Sequence, residues 1–65
     1  GQAPIVELEL TSRSTNLLLE AGYDTIASII SQLEKDENEL LALQGFGQKS
    51  LIDLKKRLRA DGYIK

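Results

Sequence analysis

With 65 residues, the chain has room for one small domain, and such a domain buries only about 60% of its unfolded surface. Cys and His are both absent, which excludes disulfide bracing, thiolate metal sites and the commonest general base and metal ligand. The net charge of −2 speaks against nucleic acid until its distribution is read: residues 1–40 carry −6 and residues 41–65 carry +4. Such asymmetry predicts one acidic and one basic face. A solvated run of Lys55 to Arg59 complementing the C-terminal helix dipole accounts for part of it, whereas Lys49 lies at the wrong end of its helix for that.

Residues 1–5 are read as a linker remnant and residues 6–65 as one domain, of cytoplasmic character. No apolar run approaches the roughly 18 residues of a membrane span, and no signal-peptide pattern opens the chain. Pro4 to Leu10 reads as an extended or turn-like lead-in whose Ile5, Val6, Leu8 and Leu10 are available to cover a core edge. Thr11 or Ser12 is a natural N-cap because its hydroxyl can accept an orphan helix N–H. The following helix buries Leu17, Leu18 and Ala21, shows Arg13, Asn16 and Glu20 as a polar stripe, and stops at Gly22.

Asp24 or Thr25 caps a second helix, in which Ile26, Ile29, Ile30 and Leu33 recur at helical spacing. Glu34-Lys35-Asp36 reads as a polar connection, with Asp36 capping a short third helix that holds Leu40, Leu41 and Leu43. Gln48 to Ala60 form the longest helix, with an inner stripe of Leu51, Leu54 and Leu58. Gly62 ends it, and Tyr63 and Ile64 fold back towards the core. The predicted class is all-α: a compact bundle of four short helices preceded by an irregular segment.

Between the third and fourth helices stands Gly45-Phe46-Gly47-Gln48-Lys49-Ser50. In this helix, glycine turn, helix pattern, Gly45 permits positive φ and Gly47 permits close backbone approach. A helix N-terminus carries unpaired N–H donors and roughly half a positive charge, which seats a phosphate. Lys49 and Ser50 add a cation and a hydroxyl there. A tight αα turn in which the glycines serve geometry alone is the alternative. Catalysis is not expected: no nucleophile–base pair stands out, and Asp36, Glu37 and Glu39 read as helix N-terminal acids.

Leu8 to Leu18, followed some thirty residues on by Gly47-Gln48-Lys49-Ser50, resembles the C-terminal domain of the bacterial RNA polymerase α subunit. The resemblance runs from about Val6 to Tyr63. Its most specific elements are the leucine-threonine lead-in, Arg13 with Asn16 three residues on, and the Gly-x-Lys-Ser turn with Asp53 three residues beyond Ser50. It implies four helices preceded by a nonstandard helical turn, containing a helix-hairpin-helix. It also implies docking in the minor groove of A/T-rich promoter DNA, together with contacts to polymerase subunits, σ factor and transcription activators. Carried over by residue, Arg13 and Asn16 enter the groove, and Gly47, Lys49 and Ser50 hold the flanking phosphate. Asp53 orients Arg13 or Lys49, and Gly45 supports the turn. No cofactor and no metal are implied, and the isolated domain is expected to be a monomer.

The chain departs from that pattern at Leu17-Leu18-Leu19-Glu20, where the family usually has Cys-Leu and then a basic residue. Its span from Arg13 to Gly47 is also about three residues longer, with the surplus around Ser31 to Asp36. Two other readings stand beside the first. One is a protein-interaction module whose acidic surface over residues 20–39 suits a basic partner. The other is a helix-hairpin-helix element of another nucleic-acid protein, which leaves the spacing of Arg13 and Asn16 unexplained.

Overall fold

The computed structural model describes residues 3–65 as a 3-10 turn followed by four α-helices. The turn spans Ile5–Leu8, α1 Ser12–Glu20, α2 Ile26–Asp36, α3 Asn38–Leu41 and α4 Gln48–Ala60. The predicted all-α class and the irregular lead-in are both realised. The radius of gyration is 10.5 Å, close to the roughly 11 Å of a compact protein of this length.

The local signals work as hydrogen bonds. Thr11 Oγ1 accepts the N–H of Ser14 at 3.2 Å, and Thr25 Oγ1 accepts the N–H of Ser28 at 3.2 Å. Each hydroxyl thus satisfies one of the donors that a helix start leaves open. At the end of α1, the N–H of Tyr23 donates to the Leu18 carbonyl at 2.9 Å and that of Gly22 to Leu19 at 3.0 Å. The last turn of α4 closes in the same way on Leu58 and Arg59.

The core comprises Ile5 and Leu8 from the 3-10 turn, Leu18 from α1, Ile26 and Ile29 from α2, Leu40 from α3, Phe46, and Leu51, Leu54 and Leu58 from α4. Among the described residues no polar or charged residue is buried with them. Burying each of these residues is worth roughly 1.5–3 kcal/mol relative to leaving it exposed, so a domain this small depends on nearly all of them.

Three boundaries differ from the sequence reading. Ile5, inside the expected linker of residues 1–5, is fully buried. The Ile5 N–H donates to the Asp24 carbonyl at 3.1 Å, and the Ile26 N–H donates to the Ala3 carbonyl at 2.9 Å. These bonds flank an isolated antiparallel bridge between Pro4 and Thr25, so the folded unit includes Ala3. Glu34-Lys35-Asp36 is the last turn of α2 rather than a connection, because no glycine or proline stops the helix and Lys35 complements its dipole. Only Glu37 separates α2 from α3, with Gln32 Nε2 donating to the Asp36 carbonyl at 2.8 Å and to Glu39 Oε2 at 2.6 Å. Asp36 does serve α3, since its Oδ1 accepts the Asn38 N–H at 3.0 Å. Leu43 lies past the end of α3. At the C-terminus Ile64 packs against the core, whereas Tyr63 stays 43% exposed.

Candidate nucleic-acid interface

The turn over residues 42–47 is built from opposed demands. Phe46 is 1% exposed and plugs the turn into the core, while Gly45 and Gly47 on either side lie at the surface. The burial of Phe46 escaped the sequence reading; an apolar residue between two glycines is its only trace. The Phe46 N–H donates to the Leu43 carbonyl at 3.0 Å. Gly45 takes φ +93°, a region that side-chain-bearing residues rarely adopt.

A second requirement acts on Gly45. A Cβ at that position would lie 3.1 Å from Arg13 Nη2, 3.4 Å from Leu17 Cδ1 and 3.7 Å from Arg13 Nε. The Arg13 guanidinium therefore lies directly over Gly45, and the first turn of α1 meets the turn that opens α4. The two halves of the predicted surface, far apart in sequence, are neighbours in the fold. Arg13 is exposed, and among the described residues it forms no ion pair with a carboxylate.

Gly47 differs in kind. Its φ of −102° and ψ of −169° are extended backbone open to any residue, and a Cβ there would meet nothing within 4 Å. Nothing within the protein requires glycine at this position. Gly47 is the N-cap of α4 and supplies no capping side chain. The first N–H to find an acceptor is that of Leu51, bonded to the Gly47 carbonyl at 3.0 Å. The N–H groups of Gln48, Lys49 and Ser50 have no acceptor among the described residues. In α1 and α2 a threonine hydroxyl fills that role, so the longest helix is the one whose start is left bare.

The remaining site residues fall as follows. Lys49 is exposed with no carboxylate partner among the described residues, and Ser50 is half-buried in the first turn of α4. Asn16 is exposed one turn beyond Arg13 on α1, and its amide makes no hydrogen bond among the described residues. Asp53 bonds neither Arg13 nor Lys49; it lines a shallow cleft of about 370 Å³ with Glu9, Thr11, Ser14 and Lys56. The expected orienting contact is therefore not formed here.

Part of the C-terminal excess of cations is neutralised inside the fold. Lys55 pairs with Glu37, and Arg57 Nη2 donates to Glu9 Oε2 at 2.8 Å. Arg57 Nε faces Asp61 Oδ2 at 3.7 Å. Lys49 and Lys56, like Arg13, are free of such pairing among the described residues. The charge separation seen along the sequence is thus bridged at two places. The cations left without a carboxylate partner among the described residues include Arg13 in the first turn of α1 and Lys49, Lys56 and Arg59 on α4. Among the described residues, no helix is long and apolar enough to cross a membrane, and no cluster of His, Cys, Asp or Glu is placed to hold a metal.

Fold and turn together define a small all-helical domain organised round a helix, a glycine turn and a second helix. Comparison with known proteins takes this further. The family model for the C-terminal domain of the bacterial RNA polymerase alpha subunit matches residues 2–60. The sequence is 47% identical over 55 residues to the DNA-directed RNA polymerase subunit alpha of Thermotoga petrophila, covering 85% of this protein's residues and 16% of that relative. It is 44% identical over 59 residues to the same subunit of Frankia alni, covering 91% of the present sequence and 16% of that relative. The corresponding subunit of Dehalococcoides mccartyi is 42% identical over 59 residues, or 91% of the present sequence and 17% of that relative. No solved structure gives a significant match. The protein belongs to the family of C-terminal domains of bacterial RNA polymerase alpha subunits. It spans about one sixth of the length of these curated relatives.

Proposed function

We propose that this domain is a non-catalytic DNA-docking part of an RNA polymerase α subunit. It binds the minor groove of A/T-rich double-stranded DNA upstream of promoters. The observation that carries this reading is the unpaired Arg13 guanidinium lying over Gly45, beside the uncapped start of α4. A narrow A-tract groove concentrates negative potential, and an arginine entering it responds to groove shape as much as to base identity. Asn16, one turn on, offers an amide to sugar or base-edge acceptors. The free N–H groups of α4, with Lys49 and Ser50, hold the flanking phosphate and set the register. Bare backbone at Gly47 lets that phosphate approach without meeting a side chain. Asp53 is assigned a supporting place only, since a carboxylate beside phosphate would be repelled.

The relatives are named as subunits of DNA-directed RNA polymerase, and membership of this family supports a parent polymerase for the present domain. Contacts to σ factor and to activators belong to the same proposal. The exposed Glu34 and Glu39 on α2 and α3 favour a basic protein partner for that side, so protein docking accompanies DNA binding rather than replacing it.

Duplex affinity measured against salt tests the assignment. Arg13→Ala lowers affinity for an A/T-rich duplex by roughly tenfold or more and leaves the fold intact. Lys49→Ala weakens binding to every duplex alike and reduces the log–log salt slope by about 0.9, one phosphate's share. Equal binding of A/T-rich and G/C-rich duplexes by both variants and the wild type would remove the groove from the account.

A further inference from the structure

Glu9 is the single non-glycine residue with positive φ among the described residues, at φ 54° and ψ 39°. Side chains other than those of glycine and asparagine seldom occupy this region, and residues held there are fixed by their surroundings. Glu9 ends the 3-10 turn, whose Ile5 and Leu8 are fully buried in the core beneath α4. It then reverses the backbone so that Thr11 caps α1 and Arg13 stands in its first turn.

The carboxylate of Glu9 is held by a residue near the other end of the sequence. Glu9 Oε2 accepts from Arg57 Nη2 at 2.8 Å. Arg57 lies on α4, two turns beyond Lys49, and its Nε also faces Asp61 Oδ2 at 3.7 Å. That Nε is shut off from solvent and has no hydrogen-bond partner, while the Arg57 side chain as a whole is 39% exposed. α4 therefore carries the free N–H groups at its first turn and the tether of the α1 entry two turns on.

We infer that Glu9 and Arg57 form a positioning pair for the DNA-docking surface, fixing the left-handed joint that lays Arg13 over Gly45. Neither residue needs to touch DNA for this. The inference rests on the DNA-docking reading for its effect on binding, and on the fold alone for its effect on Arg13.

Glu9→Gln separates this role from simple electrostatics, because the two predict opposite signs. The substitution removes a negative charge from the rim of a surface that faces a polyanion, so charge alone predicts tighter binding. Loss of positioning predicts weaker binding. An exposed ion pair sets the size of the effect, so affinity for an A/T-rich duplex falls about three- to fivefold. The salt slope stays unchanged, since no phosphate contact is lost. The Glu9 side chain is 74% exposed, so its conversion to the amide leaves packing intact, and the dispersion of the amide spectrum checks this.

A second readout needs no DNA. Proton–proton contacts between the Arg13 side chain and Gly45, measured by nuclear Overhauser spectroscopy, weaken in Glu9→Gln. If the wild type binds no duplex, the DNA-docking reading fails by itself, and the Arg13–Gly45 contact still decides the pairing. Binding by Glu9→Gln as tight as wild type or tighter, or an Arg13–Gly45 contact that survives in it, overturns the proposal.

Discussion

Gly45 and Gly47 stand two residues apart in the same turn and answer to different requirements. Gly45 is demanded from within: its φ of +93° and the Arg13 guanidinium above it both exclude a side chain. At Gly47 the backbone is extended and the space around a Cβ is open, so nothing within the protein requires glycine there; the proposed phosphate contact is what would. Gly47→Asp puts stability and binding in opposition. A carboxylate at an N-cap accepts the free N–H groups and meets the positive end of the dipole, stabilising α4 by a few tenths to about 1 kcal/mol. The same carboxylate occupies the phosphate seat and repels the backbone of DNA. The expected result is a higher melting temperature together with loss of most duplex affinity. A variant that is more stable and still binds at wild-type strength would mean that these N–H groups take no part. The φ and close-approach properties of glycine make Gly45 and Gly47 visible in the sequence. Arg13 resting on Gly45 leaves no such trace, because that contact is made by tertiary packing between distant segments.

Element by element, legibility followed periodicity and capping chemistry. The inner stripes of α2 and α4 are readable because Ile26, Ile29, Ile30 and Leu33, and Leu51, Leu54 and Leu58, recur at helical spacing; all are buried except Ile30 and Leu33, which pack partly buried against the core. Thr11 and Thr25 were readable as caps, although each stood as one of two candidates until the hydroxyl bonds were in place. The lead-in was less legible. Val6, Leu8 and Leu10 alternate with Glu7 and Glu9 at a period of two that Ile5 breaks, and the structure buries Ile5 and Leu8 while leaving Val6 57% exposed. A 3-10 turn, with its three-residue repeat, explains that pattern: Ile5 and Leu8 fall on one side of it. α2 runs on through the polar residues Glu34-Lys35-Asp36 because charged residues alone do not stop a helix. Gln32 bonds across the junction to Glu39 and leads α2 into α3 without a loop.

For the whole molecule, the limiting quantity is size. A core of this extent supplies few kcal/mol beyond the entropy of ordering the backbone, and without Cys no disulfide can reinforce it. Phe46 is the largest member of that core and the one that seats the glycine turn. Phe46→Ala costs about 3–5 kcal/mol, comparable to the total stability of such a domain. Thermal denaturation followed by circular dichroism is expected to show a largely unfolded protein near room temperature, whereas a cooperative transition within a few degrees of wild type would show that the turn is held by other means. The same packing that keeps the domain folded thus holds Gly45, Gly47 and the first turn of α4 at the surface beside Arg13.

Whether that juxtaposed surface docks on DNA is decided by an amide chemical-shift titration at low salt with A/T-rich and G/C-rich duplexes of equal length. The amides of Arg13 and Asn16 on α1 and of residues 45–50 are expected to shift together, more strongly and at lower duplex concentration for the A/T-rich duplex. Shifts confined to α2 and α3, or none at Arg13 and Gly47 with either duplex, would contradict docking through this surface.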